Sequence, residues 1–298
     1  VRTNHLSLIE DGAQALLATS SHGQSSAPGM AGDFCGCFRD LGVFSFTQGK
    51  HVTCGEGGLM LCKNEELYLR CALLRNHSEA VISGMDNRTE RQLFPNAVQD
   101  IAQVGMNLRM TEMQAAILME ELVPDWKTIT NAESTGADFP LGGLKYLAHR
   151  MYNSVNLLAN LSTISFIKTY PIESYVLIHS MYVLPLKYDA ASAEGIPRDT
   201  FLNAVKAELV GEENRADRGI PIGGGYIKPL YLMPLFQDKR HWALKNGTYH
   251  PGLCPNAERL WQEEFFLTLY HGLPLSENDR RDIFLAFDKV ANNMGEIK

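Results

Sequence analysis

Residues 44–60 read FSFTQGKHVTCGEGGLM. The β-prone run "LGVFSF" enters this stretch and "GGLMLCK" leaves it, so the pattern predicts two strands joined by a loop that carries Lys50. A lysine that forms a covalent bond to a cofactor needs small neighbours so that a flat molecule can approach. Gly49, Gly55, Gly57 and Gly58 are such neighbours, because glycine allows close backbone approach. Ser45, five residues earlier, can offer a hydroxyl and backbone amides to a phosphate. Taken alone, the stretch reads better as a glycine turn with a solvated lysine.

Upstream lies "HLSLIEDGAQALLA", in which "LSLIED" reads as a core strand and the alanine-rich run after Gly12 as a helix. Asp11 therefore falls at the carboxyl end of a strand, where open α/β sheets place their ligands. An acid there can hold a metal, a ribose or a protonated ring nitrogen, or simply cap the helix. Gln14 follows one turn on, and residues 19–37, rich in Ser, Gly and Ala, read as a loop.

Downstream, "NEELYLRCALLRNH" predicts a helix capped by Asn64 with Leu67, Cys71 and Leu74 on one face. Residues 78–105 look irregular. "MTEMQAAILMEEL" follows as a helix with Thr111 and Gln114 in capping-box spacing. Pro124 and "NAESTGADFPLGG" mark a change of register. Beyond them come the β-prone "SYVLIHSMYVLPLKY", a helix from about Pro197 to Leu209, a glycine-rich loop with "GGGY" as a turn, and a closing helix. That last helix is capped by Ser276 and turns Ile283, Phe284, Phe287 and Val290 inward. The pattern is α/β in the first half and α+β in the second.

The joint occurrence of a strand-end acid, a strand-borne serine and a loop lysine is what pyridoxal 5′-phosphate requires. The acid keeps the ring nitrogen protonated, the serine side holds the phosphate, and the lysine binds the aldehyde carbon and moves a proton. "EDGAQALLA", "GVFSFTQGKHVTCGEGGLM", "LLRNH" and "VGMNLRMTEMQAAI" follow in order, and together they resemble the DegT-type aminotransferases. These are fold type I pyridoxal-phosphate enzymes that aminate keto sugars, usually nucleotide-linked. "GGGYIKPLYLMPLFQ" and "CPNAERLWQEEF" resemble C-terminal segments of the same family.

The resemblance implies an aspartate-aminotransferase-like large domain with a mixed, mostly parallel sheet, and a smaller α+β C-terminal domain. In sequence order these are residues 1–125, a linker and interdomain helix over 126–165, and residues 166–298. It implies that Asp11 pairs with the pyridinium nitrogen and that Gln14 lies near the ring oxygen. Ser45 would bind the phosphate, and Lys50 would be the point of covalent attachment. Asn107 would reach across a homodimer interface to the neighbouring subunit's cofactor phosphate. Arg109 and His179 are candidates for substrate contacts, with a structural ion pair or hydrogen bond as the alternative for each.

The implied reaction moves an amino group from glutamate or glutamine to a ketone on a sugar, or on a related aminocyclitol. Its setting would be amino-sugar or polysaccharide biosynthesis. The dehydratase branch of the same fold typically carries histidine where this sequence has Lys50. A non-catalytic sensing or assembly protein would not need Asp11, Ser45, Lys50 and Asn107 together. The family also has a portion before the acid-bearing strand, so this chain is expected to be N-terminally truncated, with half of its cofactor cup missing. The 39 residues from Asp11 to Lys50 imply an expanded loop.

Composition sets the outer bounds. The 298 residues, 45% apolar and 20% charged, suit a globular protein with room for two units. A formal charge of −7 argues against a protein built mainly to hold nucleic acid. No run approaches a membrane span. Six cysteines without a paired framework point to free thiols and a cytoplasmic setting. Nine scattered histidines give no metal-ligand spacing, so no metal is expected.

Overall fold

The computed structural model describes residues 6–21, 33–78, 104–122, 145–209, 222–225, 227–238, 247–267 and 277–297. Two compact units emerge. The first comprises Val1–Lys145 with Glu173–Ser180, and the second Tyr146–Ile172 with Met181–Lys298.

In the first unit, strands β1 (Ile9–Asp11), β4 (Leu41–Ser45) and β5 (Gly58–Cys62) form a mixed sheet in the order β1-β4-β5. β1 runs parallel to β4, with Asp11 opposite Val43, and β4 runs antiparallel to β5, with Ser45 opposite Gly58. β1 was expected to be a core strand. Among the described residues it pairs with β4 alone and ends the sheet, with Ile9 61% exposed.

A second sheet, in the order β3-β2-β7, joins β2 (Thr19–Ser20), β3 (Asp33–Phe34) and β7 (Val176–Ile178), all antiparallel. The helix expected after Asp11 does not form. Consecutive turns (Ala15 N to Gly12 O, Ala18 N to Ala15 O) and a left-handed Leu17, φ 62°, carry the chain into β2. Pairing of β2 with two partners outweighs the local helix propensity of an alanine-rich run.

Helix α1 (Glu65–Arg75) is capped as the sequence suggests, Asn64 Oδ1 accepting from the amides of Glu66 and Leu67. Its buried residues are Ala72 and Leu73 rather than the Leu67–Cys71–Leu74 stripe, and Leu74 is exposed. Helix α2 (Glu112–Leu122) opens with the anticipated capping box. Gln114 N donates to Thr111 Oγ1, and Thr111 N donates to Gln114 Oε1 at 3.0 Å. None of its residues is buried.

Among the described residues, the second unit holds the larger apolar core. Strands β6 (Ile167–Thr169), β8 (Leu184–Tyr188), β9 (Ile222–Gly224) and β10 (Glu264–Leu267) form an antiparallel sheet in the order β6-β8-β10-β9. The glycines of "GGGY", read as a turn, contribute two residues to β9, since Gly223 and Gly224 lie where side chains would strike Phe266 and Arg198. Helix α3 spans Lys145–Leu161, α4 Arg198–Glu208, α5 Pro234–Gln237, α6 Pro255–Glu263 and α7 Glu277–Asn292.

Phe201 of α4 is fully buried. It meets Phe166 edge-on at 5.3 Å, Tyr188 at 5.4 Å and Phe287 of α7 at 6.0 Å. Ile283, Phe287 and Val290 line the buried face of α7 and Phe284 packs beside them, as the periodicity indicates. Ser276 lies outside the described residues. Arg198 secures the start of α4, donating from Nη1 to the carbonyls of Trp261, Gln262 and Glu264 at 2.7–2.8 Å. No helix among the described residues is long and apolar enough to cross a membrane.

Candidate active site

Because β1 and β4 run parallel, their carboxyl ends share one edge of the sheet, and both Asp11 and Ser45 terminate there. Asp11 Oδ1 accepts from Ala13 N at 3.0 Å, which tightens the turn bearing Gln14. Gly12 N donates to Val43 O at 2.8 Å, so the ladder continues one residue past the acid. A Cβ at Gly12 would lie 2.9 Å from that same carbonyl and from the Phe44 ring, so the close approach requires glycine.

The loop from Phe46 to Gly57 is held by its own backbone. Phe46 N bonds Gly57 O, Gln48 N bonds Gly55 O, Cys54 N bonds Phe46 O and Lys50 N bonds Thr47 O. Gly49 and Gly55 adopt φ of 89° and 86°, a left-handed region that side chains disfavour. Ser45 Oγ accepts from Thr47 N at 3.4 Å, and Thr47 Oγ1 donates to Glu56 at 2.7 Å. Buried Phe46, Val52 and Cys54 anchor the loop and leave Lys50 half-buried between them in sequence.

Asn107 pairs with Asn76 in a short antiparallel bridge at the end of α1. Met106 N bonds Leu74 O and Leu108 N bonds Arg75 O, so the Asn107 strand runs beside the last turn of that helix. Arg109 Nη1 donates to Asn76 Oδ1 at 2.6 Å, the structural hydrogen bond weighed for it. His77 and Ser78 both take left-handed φ, 59° and 60°, and a Cβ at Gly105 would lie 2.2 Å from Ser78 N. The same segment reaches the lysine loop, where Gln114 Nε2 donates to Glu56 O at 2.8 Å.

His179 follows β7, and the neighbouring Ser180 touches both candidate segments. Ser180 Oγ donates to Gln14 O at 2.7 Å, and His51 Nε2 lies 2.8 Å from Ser180 O. Partial loss of hydration lowers the His179 imidazole pKa, although the residue remains exposed. Asp11, Gln14, Ser45, Lys50 and His179 thus sit on segments joined at one edge of the first unit. Asn107 and Arg109 sit on a segment linked to that edge through Glu56. Sequence reading missed His51, Ser180, Glu56 and Asn76. Only the adjacency of His51 to Lys50 and of Ser180 to His179 could have pointed to any of them.

Among the described residues no group of three or more His, Cys, Asp or Glu is placed to hold a metal ion. The donor set is a carboxylate, a hydroxyl with nearby amides, and an amine. It suits a flat molecule with a basic ring nitrogen, a phosphate and a carbonyl carbon.

Residues 2–131 match the DegT/DnrJ/EryC1/StrS aminotransferase family. The similarity runs on through the second unit. The L-glutamine:2-deoxy-scyllo-inosose aminotransferase of Streptoalloteichus tenebrarius is 26% identical over 304 residues, covering 98% of this chain and 60% of that protein. GDP-perosamine synthase of Caulobacter vibrioides is 36% identical over 122 residues, 41% of this chain and 26% of the synthase.

The aminotransferase of Psychrobacter cryohalolentis shares the fold, with a TM-score of 0.68 at 22% identity over 99% of this chain and 64% of its own. The fold is therefore that of the fold type I DegT-type aminotransferases, as the motifs imply. The chain spans about six-tenths of the length of the curated relatives it matches end to end.

Proposed function

We propose that this chain carries out, or forms the greater part of a protein that carries out, pyridoxal-phosphate-dependent transamination of a keto sugar. The amino donor is glutamate or glutamine, the acceptor is nucleotide-linked, and the product enters amino-sugar or polysaccharide biosynthesis in the cytoplasm. The observation that carries this reading is the convergence of Asp11, Ser45 and the Lys50 loop on the carboxyl edge of the parallel β1–β4 pair. The family match of residues 2–131 supports it.

Bound there, the cofactor supplies an electron sink that lets a carbon–hydrogen bond next to the amino nitrogen be broken and remade. Asp11 holds a proton on the ring nitrogen. Ser45 and the amides that follow it hold the phosphate, and Gln14 borders the ring. Lys50 carries the cofactor between turnovers and moves the proton from one carbon to the other during the exchange. Asn107 serves a second copy of the chain, reaching its cofactor phosphate in a homodimer. Val104, Met106, Leu108 and Met113 are exposed around it, 86% at Val104, an apolar surface of the kind that a partner covers.

Titration with pyridoxal phosphate tests the reading. A near-visible absorbance band is expected that Lys50→Ala abolishes, and borohydride reduction should fix the cofactor on the peptide containing Lys50. Adding glutamine or glutamate should bleach the band, and a keto-sugar nucleotide should restore it. A band of equal strength in Lys50→Ala would refute the role of the lysine. A band indifferent to both donors would refute transamination.

A further inference from the structure

We propose that Ser180 is a positioning residue for the cofactor-binding edge, tying the Gln14 turn to the Lys50 loop. The inference rests on the function proposed above and deepens it. Ser180 is 95% buried, as is His51, and each makes a contact that neither would make by chance on a surface. The hydroxyl of Ser180 donates to the carbonyl of Gln14, 166 residues away in sequence. Its own carbonyl can only accept, so the 2.8 Å contact with His51 requires the proton on Nε2 of that ring.

One residue thus grips both candidate segments. Successive Cα atoms lie about 3.8 Å apart, so pinning His51 restricts the backbone of Lys50 directly. Pinning the Gln14 carbonyl does the same for the turn that Asp11 closes onto Ala13. Buried hydrogen bonds have few competing solvent partners and hold a fixed geometry better than exposed ones. The residue belongs to the short segment Glu173–Ser180, which joins the first unit from far along the chain. The lysine loop thereby acquires a brace that its own hairpin does not supply.

Two readouts test this. Without cofactor, Ser180→Ala should raise amide exchange in residues 12–18 and 46–55 together, while β5 and α1 stay protected. With pyridoxal phosphate, Ser180→Ala and His51→Leu should each weaken binding about tenfold and shift the pH midpoint of the absorbance band. The double variant should lose no more than either single one, since both break the same tie. His51→Gln, whose amide nitrogen can stand where Nε2 does, should restore the wild-type midpoint.

A rise in exchange spread evenly over the first unit, or additive losses in the double variant, would overturn the proposal. So would failure of His51→Gln to restore the midpoint while it restores stability. If the wild-type chain forms no adduct although the two segments still respond together, the cofactor role falls with the proposed function. The exchange data would then show that the tie itself was read correctly.

Discussion

Replacing Gly42 with alanine should damage the first unit more than any other single added methyl in β4. A Cβ built at Gly42 lies 1.8 Å from the carbonyl oxygen of Gly36, 2.6 Å from its carbon and 2.9 Å from its Cα. Ordinary contact begins near 3.4 Å, so roughly 1.6 Å of separation must be found, and every offending atom is backbone. The turn at Gly36 resists, because Gly36 N and Arg39 N donate to the two carboxylate oxygens of Glu10 at 2.9 and 2.6 Å. β4 resists as well, paired on one side with β1 and on the other with β5. Overpacking of this kind costs about 1–3 kcal/mol, and losing a hydrogen bond to a charged group adds about 1.5–3 kcal/mol.

With partial relaxation the expected loss is about 2–4 kcal/mol. Native-state hydrogen exchange on residues 41–62 reads it without interference from the second unit. Gly55→Ala is the control: nothing lies within 4 Å of its Cβ, so only the left-handed φ of 86° is penalised, by about 1–2 kcal/mol. Equal protection in wild type and Gly42→Ala would refute the reasoning, as would a larger loss in Gly55→Ala. Because Ser45 is three residues further along the strand, Gly42→Ala should also weaken binding of pyridoxal phosphate.

In the second unit, Phe201→Ala should lose about 3–5 kcal/mol in urea unfolding, since the ring is fully buried and meets Phe166, Tyr188 and Phe287. Tyr188, buried with its hydroxyl on Ile196 O, has its pKa pushed up to about 12 by burial. Its contribution is therefore complete below the unfolded value of 10.0 and disappears as pH rises from there to about 12. The loss is about 2–3 kcal/mol, visible as a falling melting temperature that Tyr188→Phe flattens.

Burial raises the thiol pKa of Cys35, Cys37 and Cys71, whereas Cys254 is exposed, so alkylation at pH 7 should modify Cys254 first. Asn64→Ala should destabilise α1 by about 1 kcal/mol, measured by exchange in residues 65–75.

Features written in short-range chemistry were legible beforehand. The Asn64 cap, the Thr111–Gln114 box and the inward face of α7 each depend on residues within a few positions of one another, and β4 and β5 pair across a single connecting loop. Those decided by distant partners were not. "GAQALLA" has helical propensity, yet residues from 33–34 and 176–178 claim the strand that follows it. Leu67, Cys71 and Leu74 make a plausible stripe, but the packing of α1 against β5 buries Ala72 and Leu73 instead. At the candidate site, Asp11, Ser45 and Lys50 could be named from residue type and order. The contact of Ser180 with Gln14 and His51 spans well over a hundred residues and leaves no local pattern.

The return of residues 173–180 to the first unit also has a consequence for how the protein is made. Ser20 pairs with Val176, which leaves the ribosome 156 residues later. At about 5–20 residues per second, that interval is roughly 8–30 s. Throughout it β2 has one side unpaired, and His51 waits for the carbonyl of Ser180. The first unit, although most of it is made by residue 145, therefore cannot be completed until residue 180 has been added, with part of the second unit already synthesised. A nascent chain stalled before residue 173 should bind holdase chaperones and resist release, and extension past residue 180 should free it.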